Sequence, residues 1–374
     1  MSEPRRPLRI ALIGSRGIPA RYGGYETLME QLAPRLRALG HRPTVYCRSH
    51  YTARGEAGPE GVALVVQPTL RTKHLDTPVH TLLSCLHAMR ARYDAALVVN
   101  AANAAFVPLL RLAGTPTALH VDGIERRRAK WGGFGRTVYA VSERLACRLP
   151  DAIVTDAAVI RDHYQRRYAA RSRLITYGVD GAPTGETSEL RRLGLEPRGY
   201  LLYVSRFEPE NNPHRVAAAY RAVSGTAPLV MVGDAPYASR FIAELRRGAD
   251  PRVRFPGAIY GEGYRQLMSH ALAYVHATEV GGTHPALVTA MGYGNCVLAN
   301  DTPENREVVG DAGLAFAASE PGSLAAALER ALGDAALRSR LGAMAAERAR
   351  ERYSWDAVAR QYAELFEELT AGAG

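Results

Sequence analysis

The loop after the apolar run 272–275 reads Glu279-Val280-Gly281-Gly282-Thr283-His284, and Pro285 then opens a helical stretch that Gly292 and Gly294 close. Proline suits a first helical turn, where its missing N–H has no partner to lose. Adjacent glycines ahead of a helix start leave several backbone N–H groups without partners, with the positive end of the helix dipole behind them. Such an arrangement binds an anion, and a phosphate is the usual one. A second apolar run, 296–299, and another proline-started turn, Thr302-Pro303-Glu304-Asn305-Arg306, follow at once.

Other polar groups stand where apolar runs end. Gly14-Ser15-Arg16-Gly17-Ile18-Pro19-Ala20-Arg21-Tyr22-Gly23-Gly24-Tyr25-Glu26 separates run 8–13 from the first helical pattern. Doubly wound sheets bind ligands at that place. Its Gly-x-x-Gly spacing is not the Gly-x-Gly-x-x-Gly dinucleotide fingerprint, and the loop is too long for that tight turn, which disfavours a nicotinamide-cofactor enzyme. The plain alternative is a structural glycine loop. His120, Asp122, Gly123 and Glu125, with Arg128, Lys130 and Trp131 downstream, close run 117–120. A polar cluster at a strand end points to function, while a histidine capping a strand can equally be a satisfied structural group. Arg206 ends run 200–205, and a planar guanidinium matches a phosphate with two hydrogen bonds. The alternative for Arg206 is a surface pair with Glu208 or Glu210. Asp234, after 229–232, is a further strand-end candidate for the pocket.

These positions need a scaffold of alternating strands and helices, and the pattern supplies one. Short β-branched runs at 8–13, 43–47, 62–67, 96–99, 117–120, 152–155 and 173–176 alternate with helical patterns at 25–39, 79–92, 104–113, 137–149 and 159–168. Such βα alternation predicts a parallel sheet with helices on both faces. Around 177–198 the pattern breaks into Gly-, Pro- and Thr-rich sequence, which reads as a linker. Strands at 200–205, 229–232 and 253–255 then alternate with helices at 213–223, 238–247 and 262–270, and a helical tail runs from Leu324 onward.

Bulk properties narrow the class. A chain of 374 residues is too long for one ordinary core, so two domains are expected. Hydrophobic residues at 47% and charged residues at 22% describe a globular protein, and no apolar run reaches the roughly 18 residues of a membrane helix. Run 8–13 is too short for a signal-peptide core, so secretion is not expected. Cys47, Cys85, Cys147 and Cys296 lack metal-ligand or disulfide spacing and read as reduced thiols in the cytoplasm. The net charge of +10 is almost all arginine, since Lys73 and Lys130 are the only lysines. A GC-rich genome explains that usage, but the basic residues gather within 126–173, which suits nucleotide sugars, phosphorylated acceptors or an acidic membrane face. Nucleic acid is not expected, because no recognised binding signature appears.

The motifs together resemble family 4 glycosyltransferases of the GT-B fold, most of all the subgroup that includes bacterial rhamnosyltransferases of polysaccharide assembly. The resemblance spans nearly the whole chain. It rests on Ile18-Pro19 with Tyr22-Gly23-Gly24 and Glu26, on the Asp122-Gly123 strand end, on Gly281-Gly282-Thr283 with Pro285, and on 305–308 and 310–313. It implies an α/β protein of two Rossmann-like doubly wound domains facing across a cleft. Residues 1–180 would form the acceptor side and 181–353 the nucleotide-sugar side, with 354–374 a helix crossing back to the first domain. The implied reaction moves L-rhamnose or a related deoxyhexose from a dTDP or UDP donor to an acceptor hydroxyl, with retention. No cofactor or metal is implied, and the enzyme would be cytoplasmic or peripheral on the inner membrane face.

Residue by residue, the resemblance gives His120, Asp122 and Arg206 roles in the transfer. Gly17, Gly23, Gly24, Arg206, Asn211, Asp234, Glu279, Gly281, Gly282, Thr283 and Thr289 fall on the donor side, and Tyr22, Glu26, Glu125 and Arg128 on the acceptor side. Departures matter here. Many relatives carry two glutamates eight positions apart in the loop and helix, and this chain has Gly281 and Thr289 there, with Glu279 two residues out of register. The second glutamate ordinarily holds the ribose hydroxyls; threonine offers at most one weaker bond, a loss of about 1–3 kcal/mol. Either the donor carries a deoxyribose nucleotide, which favours dTDP over UDP, or activity is impaired. Asn211 replaces a common lysine, and His284 replaces asparagine, a better N-cap. A tailoring transferase of small natural products such as aminocyclitol antibiotics, a nucleotide-sugar 2-epimerase and a non-catalytic partner subunit are the alternatives.

Overall fold

The computed structural model describes residues 6–21, 23–72, 75–124, 132–179, 183–235 and 238–372. The chain divides into two compact units: one runs to Tyr177 and takes back the chain from Trp355 on, and the other comprises Gly178–Ser354.

The first unit alternates β1 (Arg9–Ile13), α1 (Gly24–Ala38), β2 (Arg42–Arg48), β3 (Ala63–Gln67), α2 (Asp76–Ala91) and β4 (Ala95–Val99). It continues with α3 (Val107–Leu112), β5 (Thr117–Val121), α4 (Gly133–Ala146), β6 (Ala152–Thr155), α5 (Ala158–Tyr168) and β7 (Arg173–Leu174). All seven strands are parallel, in the order β3-β2-β1-β4-β5-β6-β7. Central strands are buried on both faces, so β1 and β4 are continuous apolar runs rather than alternating ones.

The second unit contains α6 (Ser188–Arg192), β8 (Leu201–Val204), α7 (Pro213–Tyr220), β9 (Leu229–Val232), α8 (Ser239–Arg247) and β10 (Val253–Gly257). Then come α9 (Gly261–His270), β11 (Ala273–His276), α10 (Pro285–Gly292), β12 (Cys296–Asn300), α11 (Pro303–Val309), β13 (Gly313–Phe316), α12 (Pro321–Gly333) and α13 (Ala335–Arg352). Its sheet is also parallel, ordered β10-β9-β8-β11-β12-β13. In both sheets the order reverses between adjacent strands, β1 and β4 in one and β8 and β11 in the other. The carboxyl ends of such a pair are where open α/β sheets bind ligands.

The last helix, α14 (Trp355–Ala371), belongs to the first unit. Trp355, Val358, Tyr362 and Phe366 are buried with Leu28, Leu32 and Leu97 in the core beneath α1. Each large apolar side chain placed there contributes about 1.5–3 kcal/mol. Arg173 anchors the helix outside through Glu368 at 2.6 Å.

Several local expectations change. The helix expected at 104–113 is a 3-10 turn, Ala101–Phe106, followed by α3, because Pro108 sits in the first turn of α3 and Asn100 caps the turn by accepting from Ala102 N. The segment 177–198 is not an open linker: α6 lies in it and buries Leu190. The tail is three helices, interrupted where Asp334 caps Leu337 N and where Val179 pairs with Ser354. Replacing Phe366 with alanine should destabilise the first unit by about 3–5 kcal/mol in urea denaturation. A loss below about 1 kcal/mol would show that α14 is not part of that core.

Candidate functional site

In the first unit, the loop after β1 is held by carboxylates of α1. Glu26 Oε1 accepts from Arg16 N at 2.7 Å, and Glu30 Oε1 accepts from Ala20 N at 2.9 Å. Glu26 is 5% exposed, so its carboxylate fixes the loop. Gly17 has φ +123°, and a Cβ there would lie 2.7 Å from Cys47 Cβ. Its bareness serves packing against β2. Gly23 precedes α1 in extended conformation, and Gly24 is the first residue of the helix.

The same loop meets the end of β5. Tyr25 OH donates to Asp122 Oδ1 at 2.7 Å, so α1 and the β5 strand end share one half-buried polar pair. His120 lies deeper, with no exposed surface. Its Nδ1 is 2.5 Å from Tyr362 OH, and its ring also meets Tyr25 and Tyr177. Burial pushes its pKa down to about 3, so the imidazole is neutral. The strand-end group with access to solvent is Asp122, whereas His120 is packed beneath α14. Tyr22, Glu125 and Arg128 lie outside the described residues.

In the second unit, the loops after β8 and β11 interlock. Glu279 N donates to Glu210 O at 3.0 Å, and Asn212 Nδ2 donates to Ala277 O and to Glu279 Oε1, each at 2.9 Å. Arg215 Nη1 reaches Glu279 Oε1 at 3.4 Å. Asn305 Nδ2 of α11 donates to Thr278 O at 3.1 Å, tying a third loop to the same place. Arg206, 29% exposed at its side chain, lies 3.7 Å from Glu208 Oε2. Asn211 donates from Nδ2 to Arg206 O at 2.8 Å, so it shapes the arginine's turn. Asp234 is exposed on its own turn, where Oδ1 accepts from Ala235 N and its carbonyl accepts from Phe207 N.

Gly281, Gly282 and Thr283 are buried, and His284 precedes α10 without giving that helix a side-chain cap. Gly281 has φ +152°, and a Cβ built there would fall on His284 Cε1 and lie 2.7 Å from Nε2. The space above this glycine therefore holds an imidazole. His284 also stands 4.8 Å, ring to ring, from His276, whose burial pushes its pKa down to about 3. Thr289 hydrogen-bonds the buried phenol of Tyr264. The sequence reading missed Asn212, Arg215, Tyr264 and His276; the Asn212-Pro213 step marked the first as a turn, and nothing local marked the others. Among the described residues no group of three or more His, Cys, Asp or Glu is placed to hold a metal.

Two family models match the chain: a glycosyl transferase 4-like domain over residues 23–180 and glycosyl transferases group 1 over 198–334. Alpha-maltose-1-phosphate synthase of Mycolicibacterium smegmatis is 25% identical, covering 97% of this chain and 100% of the relative. Sucrose-phosphate synthase from Thermosynechococcus elongatus superposes with a TM-score of 0.81 at 21% identity, over 98% of this chain and 100% of that one. HepE of Anabaena in complex with UDP-glucose gives 0.80 at 18% identity, over 96% and 100%.

Gly281→Ala should lower stability by about 1–3 kcal/mol in urea denaturation, because the new methyl meets His284. Part of that loss should be recovered in Gly281→Ala combined with His284→Asn. Equal losses in both backgrounds would mean that the ring does not fill the space.

Proposed function

Because the chain belongs to the family 4 glycosyltransferases of the GT-B fold, we propose that it takes a deoxyhexose such as L-rhamnose from a dTDP donor and passes it to an acceptor hydroxyl with retention, in polysaccharide or glycoconjugate assembly. The observation that carries the donor reading is that the loop after β8, which holds Arg206, is bonded to the loop after β11, which holds Gly281 and Gly282 and leads into α10, at the β8–β11 reversal. A guanidinium after one strand and a helix start after its neighbour suit a diphosphate, and such groups stabilise it most as charge grows on the leaving oxygen. Relatives support a nucleotide-sugar donor, since HepE is seen with UDP-glucose.

The choice of dTDP rests on Thr289. Where a carboxylate would accept from two ribose hydroxyls, this chain has a neutral hydroxyl already bonded to Tyr264. A deoxyribose nucleotide loses least there. The same observation favours a second reading, a non-catalytic subunit whose donor site has lost its ribose contact. On the acceptor side the reading assigns the Tyr25–Asp122 pair, with Asp122 rather than the buried His120 as the group that meets substrate. Membrane contact is supported by α4, which exposes Val138 and Val141 on a helix that also carries exposed Arg136 and Arg144. Among the described residues no helix is long and apolar enough to cross a membrane.

Calorimetric titration of dTDP, UDP, GDP and ADP tests the reading. Binding of dTDP at least as tight as UDP is expected, and a strict requirement for UDP would contradict the assignment of Thr289. Arg206→Ala should weaken nucleotide binding or turnover about tenfold or more. An unchanged rate in the folded variant removes Arg206 from the site, and binding without any sugar transfer selects the non-catalytic reading.

A further inference from the structure

We infer that His284 is the residue that meets the donor's diphosphate at this loop, and that it takes up a proton when the donor binds. The inference rests on the donor reading above and deepens it.

The first ground is steric. Gly281 is covered on its side-chain side, because the Cε1–Nε2 edge of His284 stands where a Cβ would be. An anion approaching the turn from that side meets an imidazole. The ring is only partly buried, and its side chain does not cap α10.

The second ground is charge. The loop after β8 and the neighbouring α7 bring Arg206 and Arg215, while the surrounding loops bring Glu208, Glu210 and Glu279. Glu304 adds a further buried carboxylate from the first turn of α11, the helix whose Asn305 bonds Thr278 O. Both arginines already face carboxylates, at 3.7 and 3.4 Å. Asn211 brings no charge of its own. Arg306 of α11 is likewise matched by Asp301, and His214 on α7 lies near Arg215 and Glu279. The cations of these loops are thus already matched by carboxylates before a diphosphate adds more negative charge. A group that can become cationic on demand resolves the imbalance.

The third ground is the neighbouring histidine. His276 is held neutral by burial, and its Nε2 has no hydrogen-bond partner among the described residues. An unsatisfied polar atom in the ring that packs on His284, at the start of α10, suits a place that a ligand or its water completes. Because His276 stays uncharged, the ring against His284 adds no like charge to oppose a proton there. An ordinary imidazole titrates near 6.5, and an anion alongside favours its charged form.

The test is calorimetry with intact nucleotide sugars, dTDP-glucose and UDP-glucose, whose diphosphate diesters carry no proton that titrates near neutrality. Titrations of the full chain run at pH 7.5 in buffers of different ionisation enthalpy, and again between pH 6 and 8.5. The expected result is net uptake of about half a proton per site, with affinity about fivefold tighter at pH 6 than at pH 8. Both effects should vanish in His284→Asn, which keeps a good N-cap and should fold normally. In Arg206→Ala, by contrast, affinity should fall while the proton uptake persists. Binding with no buffer dependence, or a dependence that survives in His284→Asn, overturns this inference and leaves the donor reading standing. Failure of either nucleotide sugar to bind at any pH sinks the donor reading, and this one with it.

Discussion

Two pairs of parallel strands determine where chemistry can happen in this molecule. β1 lies beside β4, with Leu12 opposite Leu97, and β8 lies beside β11, with Tyr203 opposite Val275. At each pair the chain winds away in opposite directions, so the backbone leaving the carboxyl ends has no neighbouring strand to bond and is satisfied by loop contacts instead, as where Glu279 N donates to Glu210 O. A parallel sheet must also be covered on both faces. In the first unit one face is covered by α1 and by α14, a helix from the far end of the sequence.

That constraint explains which features could be read from the sequence. Buried strands such as 95–99 and 273–276 announce themselves as apolar runs, and every strand but β13 was placed within two residues of its position at one end or both. β13 begins with a glycine and sets an exposed alanine between its two buried side chains at a sheet edge, so no continuous run of large apolar side chains marks it. Strand-end positions of Arg206, Asp122 and Gly281 follow from the runs before them. What surrounds those residues does not. Tyr362 lies 242 residues from the histidine it bonds, and that one contact turns His120 from an apparent strand-end group into an interior one. Tyr264 and Thr289 meet through packing of α9 on α10, which no local pattern encodes.

The carboxylates around the second unit's loops have a structural task that sets their electrostatics. Glu279 receives Asn212 and Arg215 and thereby joins the β11 loop to the one after β8. Asn212 adopts a left-handed conformation, φ +58°, which asparagine tolerates better than most residues and which lets α7 start at Pro213. The loops are thus tied together by polar and charged groups, while Phe207 anchors the first of them in the apolar core. Stiff loops keep donors aimed at a fixed point, which electrostatic stabilisation of a leaving group requires. The same carboxylates weaken the local positive field, so Arg206 acts here with part of its charge already matched by Glu208.

Glycines at strand ends therefore need separate arguments. Gly17 and Gly281 both take positive φ in loops that a sequence reading assigns to phosphate, yet the space each leaves is filled by another side chain, Cys47 in one case and His284 in the other. Their lack of a side chain lets protein approach protein. At the second loop the side chain admitted is an imidazole, so an anion reaching that face of the turn would meet His284 before the glycine backbone. The glycine there is needed for the room it gives a neighbouring side chain.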